Sequence, residues 1–151
     1  MLDRLDLQIL DALQRDTTLT MAELGEHVGL SSTPCWKRVK RMEDEGLIER
    51  RVAIVNRKAV GLPVTVFVSI CAGQHDDKWL VRFAALVSAL PEVQEFHRVS
   101  GDVDYLLKVV TSSIEGYDLF YKKLIGLADM AGVSSAFSME QIKSTTALPL
   151  V

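Results

Sequence analysis

Residues 31–42, SSTPCWKRVKRM, carry four basic side chains and no acid, and acids follow at once in residues 43–45, EDE. Lysine and arginine are common partners of DNA phosphates and guanine edges, and serine or threonine hydroxyls reach phosphates or bases. The same pattern is also typical of an exposed helix face whose charges pair four residues apart. The stretch therefore has two interpretations, a DNA-contacting helix or a solvated one.

Placing residues 31–45 on a helix separates the two kinds of side chain. At about 100° per residue, Cys35, Val39 and Met42 share one apolar face, and the basic residues lie opposite or beside it. Such a helix can enter the major groove with its N-terminal part. The predicted DNA contacts are Ser31, Ser32, Thr33, Lys37, Arg38, Lys40 and Arg41.

The solvated alternative predicts the pairs Lys40–Asp44 and Arg41–Glu45 at i,i+4 spacing. Trp36 lies at the border of the two faces, where it can pack against the preceding helices or contact the DNA backbone. We favour packing for Trp36.

Three predicted helices position these side chains. Apolar residues recur at helical spacing over residues 2–15. A second helix is predicted from the capping box of Thr20 and Glu23, with Gly29 as its left-handed end. The third starts near Ser31 or Ser32 and ends at Gly46. The short turn between the last two helices predicts a helix-turn-helix.

The glycine and proline of GLP at 61–63 indicate a domain boundary. Beyond it, the sequence pattern becomes that of a sheet with helices. Residues 47–60 predict a short strand and a connector. Alternating strands and amphipathic helices from residue 64 onwards predict the order βαββαβ, with the last strand in VSSAFSMEQIKSTT, residues 133–146. The predicted fold is therefore α+β: a helix-turn-helix domain over residues 1–61 and a ferredoxin-like domain over 62–151.

A second candidate site is the turn at Gly101 and Asp102, with Asp104 and Tyr105 after it. The two acids would share a strand face and could form a carboxylate pair, but no base or metal-ligand cluster accompanies them. On the residues alone, hairpin turn chemistry explains Gly101 and Asp102 best.

Composition and motifs argue against other classes of protein. The three histidines are far apart, and no C-x-x-C, G-x-S-x-G, phosphate-loop or dinucleotide motif occurs, so we expect neither a metal site nor an enzyme. The net charge of −3 lies entirely in residues 62–151, and residues 1–61 are balanced. Two isolated cysteines, no long apolar run and an acidic start predict a cytoplasmic protein without a membrane span.

Four segments together resemble the Lrp/AsnC family of transcription regulators: LDRLDLQILDALQRD, GLSSTPCWKRVKRMEDEGLI, VSGDVDYLLKVV and MEQIKSTTALPL. The resemblance spans nearly the whole chain. It implies that the helix-turn-helix is of the winged type and that the protein is a DNA-binding regulator of the bacterial or archaeal nucleoid. The implied C-terminal domain binds an amino acid or related molecule and builds the oligomer. The implied assembly is a homodimer, or a tetramer or octamer of such dimers. The two helix-turn-helix domains of a two-fold dimer would recognise a pseudo-palindromic duplex.

The resemblance also implies effector contacts from adjoining subunits. Carried over to this chain, they are Gly101, Asp102, Asp104, Tyr105, Thr145 and Thr146. No metal or other cofactor is implied. TPCWKR, with Trp36 where leucine is common in the family, looks together with MEQIKSTTALP most like a branch linked to cysteine metabolism. A sensor or assembly protein without DNA-binding activity remains the alternative, and the basic helix face argues against it.

Overall fold

A computed structural model describes residues 1–73 and 76–150 of the chain. The chain forms two compact units, and we describe each by itself. The helical unit comprises Met1–Ile54 together with Ile142–Val151, and the α/β unit comprises Val55–Gln141. The end of the chain thus groups with the helical unit, whereas the sequence-based division assigned it to the second domain. That division at residue 61 stays a prediction.

The helical unit contains α1 (Arg4–Arg15), α2 (Met21–Val28) and α3 (Ser32–Asp44). Thr20 and Glu23 form the predicted capping box at the start of α2, and Gly29 ends that helix with a φ of 75°. The turn into α3 follows directly, so the predicted helix-turn-helix is confirmed. Each helix turns an apolar stripe inward. The buried core consists of Ile9, Ala12, Leu13, Leu24, Val28, Cys35, Val39 and Met42.

The C-terminal segment is held on α1 by a reciprocal pair of hydrogen bonds. The Leu148 N–H donates to Gln14 Oε1 at 2.6 Å, and Gln14 Nε2 donates to the Leu148 carbonyl at 3.2 Å. One amide side chain therefore pairs with the main chain much as a neighbouring strand would.

The α/β unit contains β1 (Val64–Ala72), α4 (Asp77–Ser88), β2 (Val93–Arg98), β3 (Tyr105–Thr111), α5 (Ile114–Leu127) and β4 (Met130–Phe137). The strands pair antiparallel in the order β2-β3-β1-β4. This is the predicted ferredoxin-like arrangement, which is confirmed.

Alternation along β1 decides which face of the sheet is covered. Val66, Val68 and Ile70 are fully buried against residues of α4 and α5, including Phe83 and Phe120. Phe67 and Ser69 point the other way, and Phe67 remains 41% exposed. One face of the sheet therefore carries the core, and the opposite face keeps a large apolar side chain in contact with water.

One predicted strand is absent, and the last strand ends earlier than predicted. Residues 47–60 contain no strand, and β4 ends at Phe137, so the segment 138–150 has no regular structure. A strand needs a neighbour for its N–H and C=O groups, and local sequence does not show whether one exists. Within residues 1–73 and 76–150, no strand forms sheet hydrogen bonds with residues 47–60. None of the helices in this part of the chain is long and apolar enough to span a membrane.

Candidate nucleic-acid interface and effector site

The N-terminal part of α3 presents polar and basic side chains to solvent. Ser31, Ser32, Thr33 and Lys37 are exposed, and Cys35 on the inner face is buried. Ser31 is the N-cap residue, and its hydroxyl makes no capping hydrogen bond to any residue that the structure describes. The free N–H groups and the dipole of a helix N-terminus favour an anion such as phosphate.

Trp36 borders this surface, as the helical wheel predicts. It is 52% exposed and lines a shallow depression of about 230 Å³ together with Met21, Ser32 and Thr33. The indole thus packs only partly, although we favoured packing from the sequence. Its exposed part lies among side chains at the N-terminal ends of α2 and α3.

The two arginines of α3 are bound to α1. Arg38 Nη1 donates to Asp3 Oδ2 and to Asp6 Oδ1, both at 2.7 Å. Arg41 Nη2 donates to Asp6 Oδ2 at 2.6 Å, in place of the predicted pair with Glu45. The side chains of Arg38 and Arg41 remain 28% and 41% exposed, so both are only partly engaged.

Lys40 and Lys37 differ in how freely they can meet a ligand. Lys40 Nζ donates to Asp44 Oδ1 at 2.7 Å, which is the i,i+4 pair predicted from the sequence. The hydrogen bond to Asp44 and its charge raise the pKa of Lys40. Such an exposed pair contributes little free energy and can exchange its partner for a phosphate. Lys37 is exposed and forms no ion pair with any described residue.

Asp3 and Asp6 carry the negative charges that bind Arg38 and Arg41. Burial would raise the pKa of Asp6, but hydrogen bonds from the Asp3 N–H, Arg38 and Arg41 outweigh it and hold that pKa below its ordinary value. Bonds from the Asp6 N–H and from Arg38 likewise lower the pKa of Asp3. Both residues are therefore carboxylates at neutral pH.

Sequence reasoning missed this role of the two aspartates. Their spacing at positions 3 and 6, ahead of an apolar run, is a signal for a helix cap, and they do form a capping box. Their contacts to Arg38 and Arg41 span 32–35 residues of sequence, and no local pattern reports such a distance.

The predicted effector residues of the α/β unit have different surroundings. Gly101 adopts a φ of 130° and Asp102 is exposed. Asp104 Oδ2 accepts the Ala72 N–H at 2.7 Å, so its carboxylate ties the start of β3 to the end of β1. Tyr105 is 5% exposed, with its ring in the aromatic core. Of the four, Asp102 is the freest to meet a ligand.

Thr145 and Thr146 are exposed and belong to the C-terminal segment that groups with the helical unit. The predicted effector set is thus divided between the two units. The Thr145 hydroxyl accepts the Ala147 N–H at 3.1 Å, a local turn contact. Among the residues described, no group of three or more histidine, cysteine or acidic side chains could hold a metal ion. His75, one of the histidines considered from the sequence, lies outside the described residues.

Comparison with known proteins matches both units. The model of the winged helix-turn-helix DNA-binding family matches residues 2–49, and that of the Lrp/AsnC ligand binding domain matches residues 65–148. The glutamate uptake regulatory protein of Zymomonas mobilis is 48% identical over 149 residues, which cover 99% of this chain and 91% of that protein. The DNA-binding transcriptional activator DecR of Escherichia coli is 44% identical over 151 residues, 99% of each chain.

Two solved structures superpose on nearly the whole chain. An AsnC family transcriptional regulator from Agrobacterium tumefaciens superposes with a TM-score of 0.97 at 56% identity, covering 99% of this chain and 97% of that one. A transcriptional regulator from Neisseria meningitidis, solved as a complex with L-Met, superposes with a TM-score of 0.95 at 32% identity over the same shares. The chain therefore belongs to the Lrp/AsnC family of transcription regulators.

Proposed function

We propose that the protein regulates transcription by binding a specific duplex through α3, and that an amino acid or related molecule bound by the α/β unit modulates this binding. The observation that carries the proposal is the N-terminal half of α3, where Thr33 and Lys37 are exposed opposite a buried apolar face. A helix of this kind fits the major groove with its first turns. The proposal includes a location on the nucleoid, in the cytoplasm of a bacterium or archaeon, because the proposed target is DNA.

The predicted DNA-contacting residues take different roles in this proposal. Ser31 and Ser32, at the helix N-terminus, contact phosphates, and Thr33 and Lys37 face base edges. Lys40 contacts a phosphate after leaving Asp44. Arg38 and Arg41 keep their bonds to α1 and use their remaining donors.

The proposal includes a homodimer formed by the α/β unit, or a tetramer or octamer built from it. The uncovered sheet face supports this, because Phe67 lies half-exposed in the middle of β1. A second copy on that face would bury it. Two helical units related by a two-fold axis would read a pseudo-palindromic site with half-sites about 10 base pairs apart, or a multiple of that. Light scattering should show at least a dimer, and a monomer for Phe67→Asp.

The effector is proposed to be an amino acid held near Asp102. The exposed carboxylate of Asp102 suits an α-ammonium group, and backbone N–H groups of the turn suit an α-carboxylate. The named relatives make glutamate and methionine the first amino acids to test. Cysteine follows, from the resemblance of TPCWKR to a branch linked to cysteine metabolism. The relatives reported above are named as regulators, so the proposal contains no catalytic step.

DNA binding is tested with Lys37→Met. The probe is a duplex that the wild-type protein enriches from a library with about 30 random base pairs, roughly three helical turns. We expect about a tenfold loss of affinity in a mobility-shift assay and a slope of log K against log salt that is smaller by about one. Lys78→Met, which removes the same charge from an exposed position on α4, should leave both unchanged. Failure of the wild type to enrich any duplex would favour the alternative of a sensor or assembly protein without DNA binding.

Effector binding is tested by calorimetry with each protein amino acid, starting with glutamate, methionine and cysteine. We expect one of them to bind the wild type and to bind Asp102→Ala at least tenfold more weakly, as loss of a charged hydrogen-bond partner predicts. Asp104→Ala is a less informative variant, because Asp104 also holds the Ala72 N–H. Equal binding to the wild type and Asp102→Ala would move the proposed site away from this turn.

A further inference from the structure

Asp6 is the one charged residue that is fully buried among residues 1–73 and 76–150. Its side chain is 1% exposed, and it lies on α1, the helix that precedes the helix-turn-helix. Its charge is neutralised from α3, because Oδ1 accepts from Arg38 at 2.7 Å and Oδ2 from Arg41 at 2.6 Å. Oδ2 also accepts the Asp3 N–H at 3.1 Å.

A gain in stability does not by itself explain why the carboxylate of Asp6 is buried. Removing a carboxylate from water costs several kcal/mol, and apolar residues of similar volume often replace a buried ion pair without loss of stability. The neighbouring positions of this core are aliphatic, such as Ile9 and Met42, so an apolar residue would be chemically compatible with the position of Asp6. What an apolar residue could not do is orient two guanidinium groups.

Each guanidinium uses only part of its hydrogen-bonding capacity on the aspartates. An arginine has five N–H donors in one rigid plane. Arg38 bonds through Nη1 and Arg41 through Nη2, and no further hydrogen bond from either group reaches a described residue. Because the plane is rigid, a nitrogen held at a carboxylate restricts the directions in which the other donors can point. Both side chains are partly exposed, so the remaining donors are accessible to a ligand.

The two arginines also flank the DNA-contacting face. Arg41 is about 40° from Lys37 around the helix axis, and Arg38 lies about 60° beyond Arg41 towards the apolar face. Positions beside a helix that enters the groove are suited to phosphate contacts, which set the register and orientation of a protein on DNA. Side chains already fixed in the bound conformation lose less entropy when they bind.

We propose that Asp6 is a positioning residue for DNA recognition: its buried carboxylate fixes Arg38 and Arg41 of α3 so that their free donors meet DNA phosphates. This inference rests on the proposed DNA-binding function. Asp6 itself touches no DNA. It acts through the arginines. Asp3 has a supporting role, because its exposed carboxylate also accepts a hydrogen bond from Arg38.

For Asp6→Asn, simple electrostatics and a positioning role predict opposite changes in affinity for DNA. Removing a negative charge from a DNA-binding unit should raise its affinity for DNA. If Asp6 positions the arginines, affinity falls instead, and we expect a loss of about tenfold at fixed salt, measured on the duplex enriched by the wild type. The matched control is Asp11→Asn, which removes a carboxylate from the same helix that, among the described residues, forms an ion pair only with Arg15. Its affinity should equal or slightly exceed that of the wild type.

Double-mutant cycles separate positioning from general damage to the fold. Asp6→Asn should have much less effect on affinity when Arg41→Met is already present. Combined with Lys37→Met, its effect should be additive, because Lys37 has no contact with Asp6. Thermal melting of each variant checks that the helical unit is folded. If Asp6→Asn does not fold, Asp3→Asn replaces it, since Asp3 is 53% exposed and, of the two arginines, bonds to Arg38 alone; its expected loss is about threefold.

Three results would overturn the inference. Unchanged or tighter binding by folded Asp6→Asn would do so and leave the DNA-binding function intact. So would an equal loss with and without Arg41→Met, which would show that Asp6 does not act through that arginine. If the wild type binds no duplex, the proposed function and this inference fail together.

Discussion

The two units are held together by different chemistry. The core of the helical unit consists of aliphatic side chains, Cys35 and methionines, with the Asp6 carboxylate beside it. The core of the α/β unit contains Phe83, Tyr105, Tyr117 and Phe120, and no charged residue is buried in its described part. A three-helix unit has little interior to fill, so polar contacts and close backbone packing contribute more to its geometry. The unit that must orient a recognition helix is thus the one that depends on a charge network.

The largest effect should come from the aromatic core. Phe83 is fully buried, stacks on Trp79 at a centroid distance of 4.7 Å and lies 5.2 Å from Tyr105. Phe83→Ala should reduce the free energy of unfolding of the α/β unit by about 4 kcal/mol. Urea denaturation followed by Trp79 fluorescence, in a Trp36→Phe background, measures that unit.

The matched control for this change is Val81→Ala, because Val81 lies on the same helix and is 69% exposed. It should change stability by less than about 0.5 kcal/mol. A similar loss in both variants would mean that the aromatic core is not what stabilises the α/β unit.

Local signals in the sequence were enough to predict most of the fold. The capping box of Thr20 and Glu23, the left-handed Gly29 and the alternation along β1 are each read within a few residues. The predicted strand in residues 47–60 was wrong, because pairing depends on a neighbour that local sequence does not reveal. For the same reason the attachment of the C-terminal segment to Gln14, 134 residues away in sequence, was not predicted.

The candidate interface shows the same limit. Helical spacing correctly predicted that Cys35, Val39 and Met42 are buried and that Lys40 pairs with Asp44. It also predicted Glu45 as the partner of Arg41, whereas Arg41 pairs with Asp6 in the structure. An i,i+4 rule compares only partners on one helix, and it cannot weigh a carboxylate that packing brings in from another helix.

A smaller effect should come from close backbone packing in the helical unit. A Cβ on Gly25 would lie 2.6 Å from the Leu30 carbonyl oxygen, a backbone atom that cannot move aside without opening the helix-turn-helix. Gly25→Ala should therefore destabilise that unit by about 2 kcal/mol. Trp36 fluorescence during urea denaturation, in a Trp79→Phe background, is the measurement.

The α/β unit offers the matched glycine. Gly126 on α5 has no neighbour within 4 Å of an added Cβ among the described residues. Gly126→Ala should stabilise its unit by about 0.5 kcal/mol, because alanine loses less backbone entropy in a helix. Equal effects of the two substitutions would contradict the idea that the helical unit depends more on close backbone approach.

The smallest effect, and the one most specific to the charge network, should appear in acid. The pKa of Asp6 is below its ordinary value of 3.8 in the folded chain, as is that of Asp3. Well above 3.8 both carboxyls are ionised in the folded and the unfolded chain, so their stabilisation is fully present. As the pH falls below 3.8, the unfolded chain takes up protons first, and the stabilisation disappears as the pH passes through the lower folded values.

The stability of the helical unit should thus be nearly constant from about pH 7 to pH 5 and fall below about pH 4. Urea denaturation followed by Trp36 across this range measures the fall. Asp6→Asn has one carboxyl fewer and should lose stability less steeply with acid, although it starts from a lower value at neutral pH. Because the side chain of Glu95, an acid of the α/β unit that pairs with Lys108, is 49% exposed, the Trp79 signal should report a weaker dependence there. Parallel acid profiles for the wild type and Asp6→Asn would mean that solvent, rather than the two arginines, stabilises the charge of Asp6.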